Sequence, residues 1–371
     1  MNIQKLLKRA NLIRVGGNAH RFICRINGKL RSFTTHEKDI DNNLASLFGN
    51  LNACTLTPKA ALSLALAGMM GFSSLAVWAE PANPLPTGGT WQGGKTGSIS
   101  ISPDGKTMDI DSSHSRSAIQ WNTFDIGTGY TVNFNLPSAS SAILNRVTSG
   151  NASQIMGHLN SYGHVYLINP HGILFGTTAS VNVASLFAST LPITSTSFNK
   201  FMNGEDILTF EKSGNAAPAA IKNQGTIKIT DTSGKGYAVL VGGALENSGV
   251  IDAPNSYVSL AAAQKVTLYL DPLIGARVRL DKALKNDLAT YQDAVNNTLN
   301  GVIKADGGLI QLQARLENNV YARAVNNEGR IQANTLAVND KGQVELLAYG
   351  GNTADIRNTG VIDVSGVDGA A

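Results

Sequence analysis

The sequence predicts an all-β protein built as a parallel β-helix, and three observations carry that expectation. After residue 219 a pattern recurs: an apolar residue, Asn, one or two residues, Gly, an apolar residue and Ile. Its copies lie at 221–227, 245–251, 325–331 and 356–362, with a weaker one at 299–303. Gly225 and Gly249 are 24 residues apart, and Gly329 and Gly360 are 31 apart; periods of this size mark solenoids. Between the copies run short alternating strands at 237–241, 257–261, 309–313 and 344–348. The composition agrees, with 38 Gly and only 6% aromatics. A narrow coil interior takes Val, Ile, Leu and Ala, and Gly or Asn is expected in the left-handed conformation at the corners. A β-propeller would need larger blades with an aromatic signature, whereas all three Trp residues fall by position 121.

One segment departs from this pattern. Residues 281–299 place apolar side chains at 284, 288, 291, 295 and 299. That helical spacing predicts a short amphipathic helix inserted between coils.

The first 79 residues differ from the rest in charge. They carry ten Lys/Arg and three Asp/Glu, against 20 and 23 in the 292 residues that follow. The pI of 8.9 therefore reflects the N-terminal segment, and the remainder has no cationic surplus for nucleic acid. Residues 60–79 form an apolar run ending Val77-Trp78-Ala79. Small residues at these places predict signal-peptide cleavage between Ala79 and Glu80. Residues 1–79 thus read as an extended signal peptide, handled by the Sec machinery and signal peptidase. Both cysteines, Cys24 and Cys54, precede residue 80. A disulfide-free exported chain suits a second translocation step that needs an unfolded polypeptide.

Residues 98–210 have a strand-and-turn character of their own. Asn169-Pro170-His171-Gly172 is expected to form a type I turn between apolar strands, each residue suiting its position. The ordered stretches around Trp121-Asn122-Thr123-Phe124-Asp125-Ile126, Asn145-Arg146-Val147, 163–176 and 181–190, followed by Asn-x-Gly coils, closely resemble the secretion domain of two-partner secretion exoproteins. This is the filamentous-haemagglutinin and high-molecular-weight adhesin group of Gram-negative bacteria. The resemblance covers roughly residues 88–365.

It implies a right-handed parallel β-helix with an N-terminal cap. The division expected is 1–79 signal peptide, 80–210 capped N-terminal part, and 211–371 continuing coils. The family's Asn-Pro-Asn-Gly motif falls on Asn169, Pro170, His171 and Gly172, and its Asn-Arg-Val motif on Asn145, Arg146 and Val147. His171 departs from the usual Asn; it should keep the turn, without that Asn's own side-chain bonds. The resemblance also implies periplasmic recognition by an outer-membrane β-barrel transporter with POTRA domains. Export to the cell surface or medium would follow, with an adhesive role toward host glycans or proteins.

A polysaccharide lyase or hydrolase is the alternative for a β-helix, and needs clustered carboxylates with basic partners. Asp104, Asp109, Asp111 and Asp125 are the densest acidic run and have no adjacent basic cluster. His158, His164 and His171 lack acidic or Cys partners for a metal, and 234–236 lacks the rest of a phosphate loop. No catalytic residue, metal or cofactor is expected.

Overall fold

The computed structural model describes residues 80–271, 275–317, 320–335, 342–350 and 355–366, with the backbone of three strands nearer the N-terminus. The chain divides into two compact units, Met1–Ala79 and Glu80–Ala371. In the first, strands Ile13–Arg14, Ala19–Ile26 and Lys29–His36 pair antiparallel in chain order. Asn27 and Gly28 stand between the last two, a strong sequence signal for a hairpin. The export segment 60–79, with Val77 and Ala79 of its cleavage signal, lies outside the described residues.

In the second unit each turn of chain adds strands to three parallel faces. The first face stacks Ser153–Ile155, Ile173–Phe175, Ala220–Asn223, Ala244–Asn247, Asp293–Asn297, Arg323–Asn327 and Ile356–Asn358. The second runs from Thr107–Asp111 and Thr131–Asn135 to Arg330–Gln332 and Val361–Asp363. The third runs from Arg116–Trp121 and Ala142–Val147 through Tyr237–Gly242, Tyr257–Ala262 and Leu309–Leu316 to Gln343–Gly350. The long strand His158–Ile168 serves both the second and third faces, turning at a register shift between Ser161 and His164. This is a parallel β-helix. Its strands alternate, as in the exposed–buried pattern of Thr226–Ile229, so Ile227, Ile251, Ile303 and Ile331 stack inward. Each contributes roughly 1.5–3 kcal/mol of burial.

The Asn-x-Gly copies do something other than supply left-handed corners. Asn223, Asn247, Asn297, Asn327 and Asn358 form a ladder in which each Nδ2 donates to the next Oδ1 at 2.7–2.8 Å. The first four side chains are fully buried, so an unmatched amide there would cost about 1–3 kcal/mol. The glycines beside them have ordinary negative φ. They are needed because a Cβ on Gly249, Gly329 or Gly360 would press into the carbonyl oxygen of the glycine one coil earlier. The weak copy also resolves: its ladder residue is Asn297, four positions before Gly301.

Two devices close the N-terminal end. Thr90–Gln92 pairs antiparallel with Arg116–Trp121, and Ser98–Ile101 with Thr107–Asp111. Inside, Trp121, Phe124 and Phe134 fill the first coils, with Trp121 edge-on to Phe124 and Phe124 stacked on Phe134.

A second core lies outside the third face. There Tyr166, Phe187, Val239 and Val241 are covered by the helix Ser195–Asn203 and an antiparallel sheet of Ile207–Glu211, Lys265–Asp271 and Gly275–Lys282. The division expected at residue 210 falls inside Ile207–Glu211, whose partner Lys265–Asp271 belongs to the later stretch. The helix is the one helix among the described residues, and it is not where the spacing placed it. Thr194 caps its start by accepting from Ser197 N, and Gly204 ends it at φ +77°. Residues 281–299 instead return the chain to the coil. Leu284 bridges to Leu316, Leu288 and Tyr291 rest on the core, and Asp293–Asn297 is a strand. Leu299, the last residue of the supposed apolar stripe, is 78% exposed. The apolar spacing serves separate contacts, and Asn297 commits its segment to the ladder.

Candidate functional site

The two sequence motifs meet at one corner of the first coils. In the register of His158–Ile168 against Ala142–Val147, Leu167 faces Asn145 and Ile168 faces Arg146. The Asn169 turn therefore follows directly beside Val147.

Asn145 points into the coil and is fully buried. Its Oδ1 accepts from Trp121 Nε1 at 2.9 Å on the preceding coil, and its Nδ2 donates to Tyr166 O at 3.3 Å on the following one. One amide thus ties three rungs and satisfies an indole that would otherwise be buried without a partner. Val147 is buried beside it. Arg146 points outward, half-buried. It donates to Gln120 Oε1 at 2.9 Å, and its guanidinium lies 5.6 Å from the Phe198 ring of the helix.

Asn169 is also fully buried. Its Nδ2 donates to Asn151 O at 2.9 Å and Ser153 Oγ at 3.0 Å, and its Oδ1 accepts from His171 N at 2.9 Å. Its carbonyl accepts from Gly172 N at 3.1 Å, closing the expected turn. Gly172 sits at φ +122°, a conformation that disfavours a side chain, and its carbonyl accepts from Ser153 N. Pro170 is half-buried and His171 exposed. Because Asn169 uses only the main chain of His171, His171 keeps the turn. Glu80, the first residue after the expected cleavage point, accepts from Thr128 N at 3.1 Å.

The other candidates lie apart from this corner. Asp104 is held below the usual carboxylate range by the Ser102 hydroxyl and Lys106 N–H, and Asp111 by Ser98 and Asn135. Asp109 accepts from Asn133. Burial pushes Asp125 up, although Gln154 N–H pulls it back. His158 is exposed on the second face. His164 is half-buried, its Nδ1 3.1 Å from Tyr237 Oη, which lies 2.8 Å from Tyr166 Oη. Burial, with Arg116 nearby, lowers His164 to about 4. Among the described residues no group of three or more His, Cys, Asp or Glu is placed to hold a metal. Sequence reasoning missed Trp121, Ser153 and Phe198 as the partners that lock the motifs. The spacing hid one pair: Trp121 and Asn145 are 24 residues apart, whereas in-register residues on their strands are 26 apart, as Trp121 and Val147 are.

A family model described as "TPS secretion domain" matches residues 82–362. The chain belongs to the TPS secretion-domain family. This is the export domain of two-partner secretion exoproteins, which are secreted or held at the cell surface, and membership implies a cognate outer-membrane transporter. A heme/hemopexin-binding protein of Haemophilus influenzae is 35% identical over 252 residues, 68% of this chain and 23% of that protein. A second protein of that name and species is 43% identical over 83 residues, 22% of this chain and 9% of it. The chain therefore spans about a quarter or less of the relatives it matches. The HMW1 secretion domain of Haemophilus influenzae covers 76% of this chain and 74% of its own, at TM-score 0.59 and 27% identity. The TPS secretion domain accounts for the β-helix.

Proposed function

We propose that residues 1–79 deliver this chain through the Sec machinery to the periplasm and that signal peptidase releases it at Glu80. An outer-membrane transporter with POTRA domains then takes up residues 80–210 before they fold and threads the chain outward. At the surface the exported β-helix serves an adhesive or structural role. The observation that carries this reading is the burial of Asn145 and Asn169, each with its described bonds made inside the protein. Side chains so placed are open to a partner only in the unfolded chain, and after export they close the first coils. The absence of Cys after residue 54 agrees, since no disulfide obstructs an extended chain.

The test is a disulfide across Lys222 and Glu246. These residues face one another on neighbouring coils and form an ion pair at 2.7 Å. In-register neighbours of adjacent strands lie within disulfide reach. With both residues changed to Cys, the oxidised chain should stay in the periplasm, and reductant should restore secretion. Equal secretion of both forms would contradict unfolded passage.

A further inference from the structure

A cleft of about 420 Å³ opens between Arg277, on the hairpin Lys265–Asp271 and Gly275–Lys282, and the turns of four successive coils. Gly275, at φ +74°, comes close to Gly234 O, so the hairpin meets the coil at that point. The cleft is lined by Thr232, Ser233, Asn255 and Gln343, which offer hydroxyl and amide groups, and by Arg277. Leu309 and Tyr257 supply its apolar part. Arg277 is the one charged side chain among the described lining residues. Its guanidinium lies 5.2 Å from the Tyr257 ring and donates to Ala276 O at 2.7 Å, among its contacts. Asn255 is the one non-glycine residue at positive φ, +53°, among the described residues. Asn tolerates this left-handed conformation, which turns the chain at the cleft rim.

From these features we infer that the cleft binds an acidic saccharide, a carboxylate-bearing sugar of one or two rings. The size suits such a ligand. Hydroxyl and amide groups on the walls match a ligand with many hydroxyls. Leu309 and the edge of Tyr257 match the apolar face of a sugar ring. A guanidinium fork recognises a planar carboxylate, and Arg277 presents one at the cleft wall. This binding role is separate from export.

The test titrates the secreted chain with a glucuronate-containing disaccharide and with its carboxyl-reduced counterpart, by calorimetry at low salt. The acid form should bind about tenfold more tightly, the size of one charge-assisted contact. Arg277→Gln should abolish the difference. Ser233→Trp, which fills the cleft from an exposed position, should abolish binding of both sugars. Arg279→Gln, whose guanidinium lies over Tyr269 and pairs with Asp281, should leave both affinities unchanged. Failure of the acid sugar to bind, equal binding of the two, or an equal loss in Arg279→Gln would overturn the assignment. If Arg277→Gln does not fold, Ser233→Trp decides, and undiminished binding there would also overturn it.

Discussion

The coils before residue 190 and those after residue 219 share three faces and one interior, yet they hold their neighbours by different means. The early coils use contacts that occur once. Trp121 is bonded to Asn145, Phe124 stacks on Phe134, and Asn169 clamps residues 151–153. The later coils repeat one contact, the Asn ladder with its line of glycines. The ladder's first oxygen, Asn223 Oδ1, has no partner, because the strand residue facing it on the preceding coil is Phe175. Unique contacts specify one register, while a repeated contact extends whatever register it is given. The early coils thus set the stack and the ladder propagates it.

The comparison breaks most visibly at Trp121. Trp121→Ala removes a buried indole and leaves Asn145 Oδ1 without its donor. It should cost about 3–5 kcal/mol, against about 1 kcal/mol for Ile303→Val in the laddered region. Denaturant melts of the two variants measure this, and similar losses would show that the early coils are not special.

Acid should also select the early coils. His164 is lowered to about 4 when folded and titrates near its ordinary 6.5 when unfolded. The unfolded chain therefore binds the extra proton first. Stability is complete above about pH 6.5 and falls as the pH drops toward 4, by roughly 3 kcal/mol. Arg116 opposes the proton, Asp231 favours it, and Tyr237 Oη faces the ring. The later coils place Tyr237, Tyr257 and Leu309 in the same column, and none of these titrates in that range. His164→Gln should flatten the pH profile of the melting temperature; an unchanged slope would remove His164 as its cause.

Within the ladder, position matters. Asn247→Ala leaves Asn223 Nδ2 with only the Val250 carbonyl at 3.4 Å and takes the Nδ2 donor from Asn297 Oδ1, and should cost about 2–3 kcal/mol. Asn358→Ala, at an exposed position, should stay within about 0.5 kcal/mol. Equal effects would mean that the amides act singly rather than as a chain. His171→Ala should likewise lie within about 0.5 kcal/mol, since Asn169 contacts only its main chain. Asn169→Ala should cost more than a surface turn residue would, because the amide is buried with three bonds.

This division also explains what the sequence made legible. Repeating strands and Asn-x-Gly copies announce themselves through periodicity, so the later coils could be read directly. The Asn169 turn was legible because its four residue types each suit one position. Contacts that occur once leave no periodic trace. Asn145 reads as an ordinary strand residue until Trp121 is brought beside it. The purpose of the glycines was hidden for a similar reason, since close approach between coils is a property of stacking rather than of one turn. At 281–299 the periodicity was present but served a loop, a strand and an exposed Leu299, whereas the helix at 195–203 carried its signal in Thr194 and Gly204.

The order in which the coils fold separates setting the stack from propagating it. Pulsed hydrogen exchange during refolding of residues 80–371 would time protection strand by strand. Amides of Arg116–Trp121, Ala142–Val147 and the second half of His158–Ile168 should become protected first. Those of Ala244–Asn247, Asp293–Asn297 and Arg323–Asn327 should follow in chain order. Protection of the ladder strands before Ala142–Val147, or simultaneous protection of all coils, would contradict it.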